Sequence, residues 1–197
     1  LLLGIPLGCI AAMHRGKFLD NLISVISTCG IAVPSFVICT VLMYFLGVHL
    51  KILPTYGLTS WKHYVMPVMA LSFYPMAYIM RLMRSSMLDV LGQDYMRTCK
   101  AKGVSQAVSI FKHALRNAIL PVITYVGPML AYTLTGSFVV EKIFTIPGLG
   151  GEFIGSISSR DYTVIMGTTI FLATLLIVMN VIVDIIYKIV DPRIKLN

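Results

Sequence analysis

The sequence predicts an all-α, polytopic membrane fold, and three observations predict it. Of 197 residues, 57% are apolar and only 12% are charged, about half the charge of an ordinary soluble domain. So few charges cannot cover a folded surface in water, and lipid is the alternative solvent. The apolar residues also fall in long blocks, and a helix needs about 20 of them to cross a bilayer. Finally, basic residues are spread unevenly over the segments between the blocks, as expected of a chain with two distinct sides.

Five blocks are candidate spans. Leu1–Met13 is uncharged from its first residue. With no charged n-region or small-residue cleavage site, it reads as a helix cut by the fragment's start rather than as a signal peptide. Asn21–Leu50 contains no Asp, Glu, Lys or Arg and exceeds one span, so interfacial turns are expected at its ends. Tyr64–Met80 is short but strongly apolar, Asn117–Val140 follows, and Tyr162–Val183 trails on to Tyr187. Pro34, Pro67, Pro75, Pro121 and Pro128 lie in or beside these blocks. Membrane helices tolerate interior prolines because neighbouring groups satisfy the freed carbonyls, so these read as kinks, with a shaped pathway or hinge as the sharper alternative. The expected domain organisation is one membrane domain over 1–197 without linker or repeat.

Charge orients the spans. Segments His14–Asp20 and Arg81–Arg116 and the tail carry twelve basic residues, against four in Lys51–His63 and Glu141–Asp161. The positive-inside rule puts the twelve in the cytoplasm. The chain is therefore expected to start outside, cross five times and end inside. The net charge of +8 then reflects membrane topology, and no nucleic-acid partner is expected. Cys9, Cys29, Cys39 and Cys99 show no C-x-x-C spacing, so no metal or redox centre and no cofactor is expected.

The informative region is Arg81–Arg116, long for a connection between packed helices. Ser85–Lys102 is rich in helix formers, Gly103 interrupts the pattern, and Ser105 is a plausible N-cap for a second helix. There Val104, Val108 and Phe111 fall on one face, with Ala107, Ala114 and Leu115 beside it. Lys112 and Arg116 add a basic edge near its C-terminal end. A helix–glycine–helix element of this kind suits docking into a soluble partner. It also suits a hairpin covering helix ends, or a basic anchor on anionic lipid.

Residues Asp94-Tyr95-Met96-Arg97-Thr98-Cys99-Lys100-Ala101-Lys102-Gly103 and His113-Ala114-Leu115-Arg116-Asn117-Ala118-Ile119-Leu120-Pro121 resemble the cytoplasmic coupling motif of ABC importer permeases. Within that family they are most similar to the oligopeptide/dipeptide (nickel) branch, and there to the oligopeptide permease B type. The general motif begins E-A-A with a glycine four residues after the second Ala; here Arg97, Thr98, Cys99 and Gly103 occupy those places. The absent Glu fits the peptide branch, and Cys99 is a small replacement for its usual Ala. Val33-Pro34-Ser35-Phe36, Leu53-Pro54, Gly136-Ser137, Val140-Glu141, Pro147-Gly148-Leu149-Gly150, Arg160-Asp161-Tyr162 and Asp191-Pro192-Arg193 extend the resemblance over nearly the whole chain.

The resemblance implies the transmembrane domain of a type I ABC importer, with six spans in a full chain. It implies a second homologous permease, two cytoplasmic ATPase subunits and an extracytoplasmic substrate-binding protein as partners, besides the lipid bilayer. Arg97, Thr98, Cys99, Ala101, Lys102, Gly103, Val104, Ser105, Val108, Phe111 and His113 are the implied ATPase-coupling residues. The chain itself carries no phosphate-binding loop of the G-x-x-x-x-G-K-[ST] type, so it is expected not to be an enzyme.

Thr133, Thr135, Thr168 and Asn180 are candidates for lining a translocation path, Thr169 among the same polar groups, although such groups more often bond within or between helices. Asp184 lies four residues before Lys188 and could pair with it. Pro147-Gly148 predicts a tight turn, with Gly150 and Gly151 leading into a short interfacial helix carrying Phe153, Ile154 and Ile157. The expected cargo is peptide, with nickel or other metal chelates and glutathione as alternatives; His49 and His63 near the outer side are the only hint of metal. An ion-coupled carrier or channel would lack an ATPase partner. An intramembrane enzyme finds no H-E-x-x-H or G-x-S-x-G pattern.

Overall fold

A computed structural model describes residues 1–134 and 137–190. All regular structure among them is helical. The chain forms two compact units: Leu1–Ala32 with Pro75–Tyr125, and Val33–Tyr74 with the chain from Val126 onward.

In the first unit, α1 (Gly4–Met13) turns into α2 (Phe18–Ala32), and both pack on the later part of α4 (Lys62–Leu91). Ala11, Ile23 and Met80 are buried together, flanked by Leu7 and Met76. Met83 and Met87, one and two turns further along α4, are fully buried. The turn between α1 and α2 uses Gly16 at φ +74°, a left-handed conformation that costs a side-chain-bearing residue about 1–2 kcal/mol. Within the same unit, Tyr78 of α4 stacks on Tyr125 of α8 (Leu120–Leu134), ring centroids 4.3 Å apart.

The second unit has its own core. Cys39 on α3 (Ser35–Leu42), Met66 and Ala70 on α4, and Val140 and Phe144 at α9 (Phe138–Ile143) and its C-cap are buried together. The long block Asn21–Leu50 is interrupted at Val33-Pro34: Pro34 is extended, at φ −61° and ψ 145°, and stands immediately before α3. Proline has no N–H to donate and biases the preceding residue away from helix, so the break is local chemistry. Beyond α3 the helix widens into a π-helical stretch, Met43–His49.

Among the described residues two helices, Lys62–Leu91 and Tyr162–Ile182, are long and apolar enough to cross a membrane, and Phe18–Ala32 with Ser35–His49 would serve as a third, interrupted span. Gly4–Met13 and Leu120–Leu130 are apolar but shorter. Among the described residues each block is largely helical, but only two of the five expected spans are continuous helices of spanning length. The largest difference is in α4. Its 30 residues make a rod of about 45 Å, against about 30 Å of hydrocarbon. The span beginning near Tyr64 therefore continues without a break through Arg81 to Leu91, where a separate helix over Ser85–Lys102 was expected. The break falls instead at Gly92-Gln93.

Candidate functional site

The segment after Leu91 is a helical hairpin. Its first arm is α5 (Asp94–Ala101), with Asp94 in its first turn and Lys100 in its last, both favourable to the helix dipole. Met96 is its buried residue. Arg97 and Asp94 approach at 3.6 Å but are 80% and 96% exposed, so that pair contributes little. Thr98 Oγ1 donates to the Asp94 carbonyl at 3.1 Å.

The arm ends in a defined reversal. The Gly103 N–H donates to the Lys100 carbonyl (3.0 Å) and the Val104 N–H to the Cys99 carbonyl (3.1 Å). With Gly103 at φ +71°, these are the two bonds of a Schellman motif, and they satisfy carbonyls the helix end would otherwise leave open. A Cβ on Gly103 would meet nothing within 4 Å. Glycine is therefore needed here for its backbone freedom and not for space.

The second arm is helical from Gln106 to Ala118, in three consecutive pieces: α6 (Gln106–Val108), a π-helical stretch Ser109–Ala114, and α7 (Leu115–Ala118). Ser105 stands at the N-cap position as expected, in extended backbone, but its hydroxyl makes no capping bond; its carbonyl accepts from the Ser109 N–H at 2.9 Å. Ser109, Ile110, Ala114 and Ala118 form the buried face. Val108 and Phe111, expected to share an apolar face, are 44% and 69% exposed. Ala101, Lys102, Lys112 and Arg116 are exposed as well, while Cys99, Val104 and His113 are half-buried. The hairpin therefore shows outward both an apolar pair and basic side chains. Asn117 Nδ2 donates to Tyr95 Oη at 2.9 Å, joining the two arms; this contact was not legible in the sequence. Only Ile119 separates the second arm from α8, and backbone bonds run through it, Ile119 N to Leu115 O and Ile123 N to Ile119 O, each 3.0 Å.

The candidate pathway residues look different. Thr133 Oγ1 donates to the Met129 carbonyl at 2.7 Å, Thr168 Oγ1 to Val164 at 2.7 Å, and Thr169 Oγ1 to Ile165 at 2.7 Å. These hydroxyls are satisfied by their own helices. Asn180 is exposed on α11 (Tyr162–Val190). Thr135 and Gly136, the side chains of Asp184 and Lys188, and the Asp191-Pro192-Arg193 run lie outside the described residues.

Pieces of sequence that had no evident connection meet in the second unit. The Glu141 carboxylate accepts the Gly151 N–H at 3.1 Å and so sits at the N-terminus of α10 (Leu149–Ser159), where negative charge is favoured. A Cβ on Gly148 would come within 2.5 Å of Glu141 Cδ, and one on Gly150 within 2.8 Å of Phe138 Cα. The tight turn expected at Pro147-Gly148 lies earlier. Thr145 takes φ +54°, the Ile146 N–H donates to the Glu141 carbonyl at 2.8 Å, and Gly148 is extended. The two glycines of Pro147-Gly148-Leu149-Gly150 make room for the carboxylate and the α9 backbone. Arg160 ends α10 in the left-handed region at φ 55°, and Asp161 Oδ1 accepts from the N–H groups of Thr163 (3.1 Å) and Val164 (3.2 Å) to start α11. Arg160-Asp161-Tyr162 is thus a helix stop followed by a helix start.

Residues 4–196 match the model of a family described as "Binding-protein-dependent transport system inner membrane component". Over 98% of its length the chain is 53% identical to the dipeptide transport system permease protein DppB of Bacillus subtilis (strain 168), covering 63% of that relative. It is 44% identical to the protein of the same name from Lactococcus lactis subsp. cremoris (strain MG1363), covering 98% of this chain and 64% of the relative. It is 40% identical to the glutathione transport system permease protein GsiC of Escherichia coli (strain K12), covering 99% and 64%. The chain thus spans a little under two thirds of the length of these relatives. Matched over nearly all of its residues, it belongs to the family of inner-membrane components of binding-protein-dependent transport systems.

Proposed function

We propose that this chain is part of the permease subunit of an ATP-driven importer that carries peptides across a bacterial cell membrane. The observation that carries this reading is the hairpin around Gly103: a stiff, sharply reversed element whose exposed side chains are Val108 and Phe111 beside Lys112 and Arg116. An apolar pair framed by cations suits the groove of a soluble partner. The similarity to two dipeptide permeases supports peptide as cargo.

In this reading the chain is one transmembrane domain with five spans, α2 and α3 together making one of them, and residues 81–116 on the cytoplasmic side. Its partners are a second permease, two ATPase subunits and an extracytoplasmic binding protein, and ATP is hydrolysed by the partners. Arg97, Thr98, Cys99, Ala101, Lys102, Gly103, Val104, Ser105, Val108, Phe111 and His113 form or shape the ATPase contact. ATPase closure pushes the hairpin, and the nearly unbroken helix from Gln106 into α8 carries the displacement into the membrane. Thr133, Thr135, Thr168 and Asn180 are the candidates for lining the path; the hydroxyls of Thr133 and Thr168 bond to their own helices and Asn180 is exposed.

Reconstituting the full-length permease with its genetic neighbours in liposomes tests the cargo. Uptake of labelled dipeptide, dependent on ATP and on the binding protein, is expected. A glutathione carrier is the second reading, favoured by the similarity to the glutathione permease. Saturable glutathione uptake with no dipeptide uptake would replace the first reading by the second.

A further inference from the structure

The first unit holds an ion pair outside the hairpin, its carboxylate buried and its guanidinium 31% exposed. Asp20 is 2% exposed. Its Oδ1 accepts from Arg84 Nε, and its Oδ2 accepts from Arg84 Nη2 at 2.8 Å and from the Gly16 N–H at 2.9 Å. Both carboxylate oxygens are therefore engaged, in the fork geometry that only a guanidinium offers. Sixty-four residues separate the partners. The bond ties the α1–α2 turn to α4 two turns before its end at Leu91.

A second contact fixes the same stretch of α4. Gly4 and Gly8 stand one helical turn apart on α1. A Cβ on Gly8 would fall 2.6 Å from the Met80 carbonyl oxygen and 2.7 Å from Met83 Cβ, and one on Gly4 would fall 3.0 Å from the Met76 carbonyl oxygen. Small residues at this spacing let two helix backbones touch. From Met76 to Arg84, α4 is thus held by backbone contact with α1 and by the ion pair with the start of α2. Past Arg84, the same helix runs out to the hairpin.

We propose that Asp20, Arg84 and Gly8 are positioning residues for transport: they mount α4 on the α1–α2 hairpin, so that displacement of the segment around Gly103 moves this unit as one body. The inference rests on the reading of that segment as the ATPase contact. A loosely held α4 would absorb the push by bending or sliding, and ATP would be hydrolysed without matching transport.

The test separates this role from plain stabilisation. The full-length permease is produced with its partners as Asp20→Asn, as Arg84→Met and as the double variant. Membrane abundance, ATP hydrolysis and peptide uptake are measured on each. Arg84→Met leaves the buried Asp20 carboxylate without its partner, and abundance should fall severalfold; Asp20→Asn leaves a guanidinium that is 31% exposed, and abundance should fall less. Replacing both should return abundance to within about twofold of the unmodified protein. Uptake per ATP hydrolysed should nevertheless stay about tenfold low in the double variant. If the double variant transports normally per ATP, the pair serves stability alone and the inference is overturned. If the double variant fails to accumulate, Arg84→Lys decides, since it keeps the charge but loses the fork: a lowered ratio supports the role and an unchanged ratio overturns it. An unmodified permease that co-purifies with no ATPase would overturn the reading of the hairpin itself, and this inference with it.

Discussion

Two glycine-bearing segments, one at Gly103 and one at Gly148 to Gly150, use glycine for different physical reasons. At Gly103 the backbone is left-handed and the space beside it is empty. Around Gly148 and Gly150 the crowding comes from neighbouring atoms: the Glu141 carboxylate, and for Gly150 also the Phe138 backbone. The first glycine lets the chain reverse between two helical arms, the second of which leaves Val108 and Phe111 exposed. The second lets two helices of one unit close on each other around a charged cap. At Gly103 glycine meets a conformational requirement and at Gly148 and Gly150 a packing requirement, and substitutions should tell them apart.

The largest effect is expected at Gly150. Alanine there drives a methyl group against the Phe138 backbone, which cannot step aside, and should cost about 3 kcal/mol, read as a lowered melting temperature in detergent. Gly148→Ala should cost less, because the Glu141 side chain can rotate away. If both substitutions melt like the unmodified protein, the close-packed joint is wrong.

Next in size is the loss of the ion pair in the first unit, which neither glycine site shares. The Asp20 carboxylate accepts from Arg84 Nε and Nη2 and from the Gly16 N–H. Asp20→Asn keeps the shape but loses the charge-assisted fork, and should cost about 1.5 kcal/mol, read as a lowered melting temperature in detergent. A variant that melts like the unmodified protein would contradict the assignment.

Gly103→Ala should cost about 1 kcal/mol through its left-handed backbone, and Gly103→Asn should recover most of that, because Asn tolerates the conformation. No such rescue is expected at Gly150, where Asn is worse than Ala. The smallest effect has the opposite sign. Gly151 is helical, with nothing within 4 Å of a Cβ, and Gly151→Ala should stabilise by about 0.5–1 kcal/mol. A destabilised Gly151→Ala would mean that α10 is crowded in a way the geometry does not contain.

These contrasts also mark what could be read from the residues alone. Apolar runs locate every long helix, because a helix in lipid must be apolar along its length whatever it packs against. Gly103 as a reversal and Ser105 as the start of the next arm follow from local backbone chemistry, and both hold. The outward face at Val108 and Phe111 follows from spacing. Its counterpart does not: Ile110 and Ala114 are buried in a π-helical stretch and Ala118 in the α-helix that follows it, and the wider turn shifts the pattern from that of an ordinary helix. The continuation of α4 to Leu91 was hidden because Arg81 and Arg84 look like the beginning of a loop, whereas Arg84 in fact turns to Asp20. Partners separated by 64 residues leave no periodic signal. Glu141 and the glycines that surround its carboxylate were visible only as separate fragments, since their relation is one of space and not of spacing.

The most direct measurement takes a full-length permease in which every cysteine, Cys9, Cys29, Cys39 and Cys99 among them, is replaced by serine, and introduces Phe111→Cys as the one reactive thiol. The hairpin reading requires this thiol to be labelled from the cytoplasmic face and to cross-link to an ATP-hydrolysing subunit, with ATP changing the yield. Labelling from the outer face alone, with no such cross-link under any nucleotide condition, would contradict it.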